Sequence, residues 1–304
     1  MAKSNKQRKQ EIKQKRSQKV TTPTSPYRNE ESHLNYTPDY LTNFNTTSTL
    51  ATDHSSLSRN MRQIIQEGYA LFSHYSAPKR FNVCTYCCMT LPEEEALRTL
   101  PLPLLPRELI WSYNDSAKDK LESKDEVAYL LPRILELIAL NEEIHHSPEL
   151  YLSWVAQTPI EQWTEEEKGF LAGFAIQYTK DVIQHAAQEH CIASIDSILI
   201  MFSYANIHIE PILTYMAQST DYYVITSLAS LIGQSKGETN FITNSFIDHC
   251  PILNNTFDIW LKKNKTQLCQ NAQQAILHPE DISAVSDFVK YEVELGLCYL
   301  SNGT

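Results

Sequence analysis

From Ser58 onward, apolar residues recur every three or four positions, the period of an amphipathic helix. Val127, Leu130, Leu131, Ile134, Leu135 and Ile138 follow this rule, and so do Phe170, Leu171, Phe174, Tyr178 and Val182. Val285, Phe288, Val289 and Val293 predict a last amphipathic helix. Between residues 190 and 275 the pattern predicts apolar helices at Ile192–Tyr204, Pro211–Gln218, Tyr222–Gly233, Thr243–Phe246 and Asn254–Lys262, joined by short polar segments. Helix starts are marked by Ser or Thr with Glu three residues on, a pair that satisfies orphan backbone donors. Thr90/Glu93, Ser123/Glu126, Thr158/Glu161 and Thr164/Glu167 have this form. Pro159 follows Thr158, and His278-Pro279-Glu280-Asp281 also reads as a helix start. Pro132 predicts a kink or break within the Val127–Ile138 pattern.

These signals predict an all-α fold of antiparallel helix pairs, packed as a bundle or a short irregular solenoid, with a disordered N-terminal arm. No repeat of constant period appears. A helical domain with a small hairpin near Phe81–Thr90 is the alternative. The expected organisation is a basic and polar arm over 1–58, a Cys-containing helical region over 59–189, and a C-terminal helical region over 190–304 packed on it. Beyond Met1 and Ala2, the arm's first 19 residues hold only Ile12 as an apolar residue, too little to offset ordering entropy. Tyr27, Tyr36, Tyr40 and Phe44 lie in the Ser/Thr/Asn/Pro-rich stretch that follows, and could dock on a partner or on the protein's own body.

Composition narrows the function classes. Seven glycines in 304 residues are few for sheet-rich folds or phosphate-cradling loops. GxGxxG, GxxxxGK[ST], GxSxG and HExxH are all missing from the sequence. Charge is segregated: residues 1–19 carry eight basic side chains against Glu11 alone, or +7, so the formal −10 of the chain leaves −17 for the rest. An acidic body favours basic partners and opposes nucleic acid. The leader could tether the protein to RNA, a ribosome or an acidic partner. No apolar stretch approaches the ~20 residues of a membrane span. Seven cysteines, three of them together, fit reduced thiols in a cytoplasm better than a disulfide scaffold.

Cys84-Thr85-Tyr86-Cys87-Cys88 is the foremost candidate site. Two thiolates spaced C-x2-C can grip one Zn2+, because the intervening turn brings both sulfurs to one side. Cys88 and His145 or His146 are candidates to complete four ligands; redox chemistry and buried structural thiols are the other readings. His145-His146 are candidate ligands or relays, or loop residues bonded to a helix entry. Asp181, His185 and Glu189 share one helical stripe. Asp248-His249-Cys250 offers a thiol beside a base. The Pro101–Ile110 segment reads as a stiff apolar connector, and Trp111, Tyr113, Trp154, Trp163 and Trp260 as core or groove residues. No catalytic residue and no organic cofactor is expected.

The ordered segments FNVCTYCCM, LPRELIWSYNDSAK, YLLPRILELIAL, HHSPELYLSW and WTEEEKGFL, spanning Phe81 to Leu171, resemble a family of uncharacterised bacterial proteins. The resemblance implies a bacterial, cytoplasmic, all-helical protein and supplies no catalytic residues. Such acidic helical proteins are similar to immunity proteins that neutralise polymorphic toxins, contact-dependent or secreted by a type VI system. By that analogy this is a non-enzymatic protein that binds a basic partner such as a cognate toxin. The alternative is a zinc-stabilised module associating with RNA or the ribosome through its arm.

Overall fold

The computed structural model describes residues 36–42, 53–118, 123–235 and 240–301; every regular element in them is helical. The α-helices are α1 (Asp39–Thr42), α2 (Arg59–Leu71), α3 (Leu91–Thr99), α4 (Arg107–Asp115), α5 (Lys124–Ala139), α6 (Ser153–Ala156), α7 (Glu165–Gln188), α8 (Asp196–Tyr204), α9 (Glu210–Gln218), α10 (Tyr222–Gln234), α11 (Leu253–Leu277) and α12 (Asp287–Ser301). The long α7 is central: α2 packs on it with α5 behind, and α9 and α10 pack on it as well. Further out, α10 carries α12 and touches α11. One contiguous set of buried side chains runs from Leu57 to Leu300, so both expected helical regions share a core.

Local chemistry explains the helix starts. Thr90 and Thr164 each form a complete capping box, with Glu93 and Glu167. Ser123 precedes α5 without a side-chain cap bond. Glu126 is used elsewhere, accepting from the Asn82 N–H at 3.1 Å and from Tyr113 Oη at 3.2 Å. Thr158 starts no α-helix; a 3-10 turn at Ile160–Gln162 follows, and the buried Thr158 hydroxyl donates to the Trp154 carbonyl.

Glycine is too scarce to close most helices, and other residues take the left-handed position at three ends: Asn141 (φ 59°), His190 (φ 53°) and Asn206 (φ 56°). Each is followed by a wrap-back bond: Glu142 N to Leu137 O, Cys191 N to Ala186 O, and Ile207 N to Phe202 O. This is the Schellman closure, which satisfies carbonyls the helix end leaves open.

Helix α5 runs unbroken through Pro132. The missing N–H is tolerated because every residue from Glu126 to Ile138 except Tyr129 is buried, and packing outweighs one lost helical bond. The start expected at His278 is not used; the chain stays irregular there and α12 begins at Asp287. Asp281 instead accepts from the Ser283 N–H at 2.8 Å, a local turn that competes with helix. Thr243–Phe246 is not helical, and the helix expected over Asn254–Lys262 extends to Leu277. The hairpin alternative fails among the described residues: the chain turns at Thr85–Cys88, with the Cys88 and Met89 N–H groups both bonded to the Cys84 carbonyl.

Two pieces of the expected arm are described, and both are packed. Tyr40 Oη donates to Glu93 at 2.6 Å, and His54 Nε2 lies 2.6 Å from Glu136. Residues 1–35 and 43–52, with the basic leader, Tyr27 and Phe44, lie outside the described residues.

The charge has an interior component that composition conceals. Glu93, Glu94, Glu126, Glu136, Glu149, Glu167 and Glu292 are all buried. Buried carboxylates require hydrogen bonds or cations. Glu136 accepts from Tyr69 Oη and Arg133 Nη1, both at 2.6 Å. Glu167 accepts from Tyr75 Oη at 2.6 Å and Lys124 Nζ at 2.8 Å. Part of the acidic excess is therefore internal wiring.

Candidate metal centre

The chain enters the cysteine turn suspended on two buried carboxylates. The Phe81 N–H donates to Glu94 at 3.0 Å, and the Asn82 N–H to both oxygens of Glu126. The Cys84 N–H then reaches the Ala117 carbonyl and Ser116 Oγ, just past the end of α4. Phe81 and Met89 are buried on either side, so the turn is anchored at both ends while Cys87 and Cys88 are exposed. A cleft of about 1080 Å³ opens beside it, lined by Tyr75, Arg80, Cys84 and Tyr86 among others.

Within the turn, Cys84 Sγ lies 3.5 Å from Cys87 Sγ, and Cys87 Sγ lies 3.5 Å from Cys88 Sγ. All three sulfurs fall within 4.8 Å of one another. Tetrahedral zinc with Zn–S bonds of about 2.3 Å needs sulfurs about 3.8 Å apart. The turn therefore holds its thiols at a separation from which an ion can gather them.

Electrostatics divide the three. Backbone N–H groups of Cys87 and Tyr86 point at Cys84 Sγ and hold its thiol below the usual 9.0. Bonding to Cys84 and Cys88, together with their charge, pushes the Cys87 thiol up to about 12. The turn thus stabilises one negative charge and resists a second. A cation at the centre removes that resistance.

The histidines expected as further ligands go elsewhere. Asp115, His145 and His146 form their own group, with ligand atoms within 4.8 Å of one another. Sequence reading misses Asp115, which lies thirty positions away in the chain from its partners and carries no local signal.

The chain matches no family model, no curated protein and no solved structure.

The other candidates are placed as follows. Asp181 accepts from Ser58 Oγ at 2.9 Å and Gln177 Nε2 at 2.8 Å, tying α7 to the start of α2; His185 and Glu189 are exposed. Cys250 is buried with its Sγ 3.7 Å from the Ile200 carbonyl, and burial raises its thiol. His249 is exposed and stacks on Tyr204 instead. Leu105, Leu109 and Ile110 of the proline-rich connector are fully buried, so this segment packs on the core. Glu149 of the HHSPEL segment binds across the fold, accepting from Ser197 Oγ and Asn244 Nδ2, both at 2.7 Å. No described helix is long and apolar enough to cross a membrane.

Proposed function

We propose that the chain is a metal-thiolate protein in which Cys84, Cys87 and Cys88 supply three ligands to a Zn2+ ion. The fourth position is left to solvent or to a group brought by a partner. The observation that supports this is the convergence of three sulfurs on one anchored turn whose backbone already favours the Cys84 thiolate. Zinc bound there locks the turn, which the Cys84 N–H already ties to the end of α4, and stiffens the adjoining face for recognition. The test is metal analysis of reduced, purified protein, with Co2+ substitution as the spectroscopic probe. One zinc per chain and an intense sulfur-to-cobalt charge-transfer band, both lost in Cys84→Ser, are expected. A cobalt titration with no such band would sink the reading.

A second reading rests on a different observation. Ile276, Leu277, Phe288 and Tyr291 are each more than half exposed at the end of α11 and the start of α12. Contiguous exposed apolar patches mark partner-binding surfaces, and Phe288 and Tyr291, three residues apart, share one face of α12. This favours a non-enzymatic protein-binding role, with neutralisation of a toxin as its sharp form. Co-expression with the product of the adjacent reading frame tests it: the parent protects the cell, and Phe288→Asp with Tyr291→Asp does not. Equal protection by parent and variant removes this surface from the role.

A further inference from the structure

Helix α4 and the loop after α5 are pinned together at one point. The buried Asn114 donates from Nδ2 to the Ile144 carbonyl at 2.9 Å, and its main-chain carbonyl accepts from Trp154 Nε1 at 3.2 Å. Ile144 is fully buried. The residues next to this pin in each segment are Asp115 on one side and His145-His146 on the other. The fold thus fixes a carboxylate and two imidazoles from separate segments against each other.

We propose that Asp115, His145 and His146 form a second metal site, for a divalent transition ion of borderline softness such as Zn2+ or Co2+. Two imidazoles and one carboxylate are a recurrent ligand set for such ions, and they leave positions open. The spacing suits a bound ion. His146 Nδ1 lies 3.6 Å from Asp115 Oδ1, too long for a hydrogen bond. Ligands about 2.0–2.1 Å from a tetrahedral zinc lie about 3.4 Å apart, close to that spacing. His145 Nδ1 accepts from the His146 N–H at 2.9 Å, so this nitrogen presents a lone pair. An ion bound at Nδ1 displaces that N–H, which the exposed His146 can turn to solvent, and the ring proton stays on Nε2.

Access and rigidity are both provided. His145 is buried, whereas the side chains of His146 and Asp115 are each 59% exposed. The ion enters from solvent onto a site with one fixed and two reachable ligands. Asn114 is a positioning residue here, because it sets the distance between the two ligand-bearing segments.

The experiment is calorimetric titration of the full chain with Zn2+ after replacing Cys84, Cys87 and Cys88 by Ser. That variant removes the sulfur site and isolates this one. We expect one ion per chain, with affinity reduced about tenfold or more by Asp115→Asn or His146→Ala, the scale of metal-site perturbations. Both residues are exposed, so neither change threatens the fold. If the cysteine variant does not fold, the parent is titrated with Co2+ instead. Asp115→Asn should then remove one bound ion without touching the sulfur-to-cobalt band. Absence of binding by the folded cysteine variant overturns the proposal, and so does binding unaffected by both substitutions. Loss of the sulfur band alone overturns only the thiolate reading.

Discussion

A Cβ added to Gly296 would stand 1.8 Å from the Ala229 carbonyl oxygen. Helices α10 and α12 thus meet backbone to backbone, and on the same contact a Cβ at Gly233 would stand 1.9 Å from the Glu292 carbonyl. No L side chain fits there unless the helices separate. Gly233→Ala and Gly296→Ala are each expected to cost about 3 kcal/mol, the upper part of the overpacking range. Gly169→Ala and Gly173→Ala in α7 meet nothing within 4 Å and should gain about 0.5–1 kcal/mol through helix propensity. Urea unfolding of the four variants checks both signs.

His190 sits at φ 53° where a helix end favours glycine. His190→Gly should raise stability by about 0.5–1 kcal/mol by removing the Cβ penalty of the left-handed conformation. His190→Ala should not. Thermal unfolding of the two variants distinguishes conformational relief from loss of the side chain.

Arg133 joins two elements in the core. Its Nε donates to the Leu105 carbonyl at 2.9 Å and its Nη1 to Glu136 at 2.6 Å. Arg133→Met takes the guanidinium from the buried Glu136, leaving His54 and Tyr69 as its partners, at an expected cost of about 3–5 kcal/mol. Arg133→Lys recovers little, because an ammonium cannot serve both acceptors in that fork. Tyr69→Phe, which removes one bond to the same carboxylate, should cost about 1–2 kcal/mol. Chemical denaturation ranks the three.

Burial raises Glu149, but bonds from Ser147, Ser197 and Asn244 outweigh it and hold the carboxyl below its ordinary 4.5. A depressed carboxylate adds stability above its unfolded value that is lost as pH falls through the folded one. Glu149→Gln should therefore be less stable than the parent at neutral pH. The gap should narrow below about pH 4.5, where the parent loses the advantage. Parallel unfolding curves whose difference stays constant with pH would contradict this.

In metal-free, reduced protein, alkylation should reach Cys84 before Cys87. Cys84 is the less exposed of the two, yet its thiol is lowered by the turn's N–H groups while that of Cys87 is raised to about 12. Mass spectrometry of short iodoacetamide pulses reads the order. Prior zinc loading should protect all three sulfurs, since thiolates engaged by metal are poor nucleophiles.

Much of the helical layout is readable in the sequence. The periods around Val127–Ile138 and Phe170–Val182 lie in α5 and α7, and two of the four Ser/Thr–Glu pairs close as capping boxes. These are local signals, acting within a few residues. Helix ends are less legible, because Asn and His occupy left-handed positions where glycine is the usual mark. The CTYCC segment is legible as a thiol cluster, since its three sulfurs lie within one turn. The role of Glu126 is not: its donors at Asn82 and Tyr113 are brought to it by the fold.

The order of residues along the chain is enough to make it helical, to start several of its helices, and to put three thiols on one turn. Those outcomes follow from spacing along the backbone, which fixes short-range geometry before any packing. The packed fold was needed to bury seven glutamates, to bring α10 and α12 together through their backbones, and to set Asp115 rather than a cysteine beside His145 and His146. Each of these joins residues far apart in the chain, so each depends on how the helices close on one core.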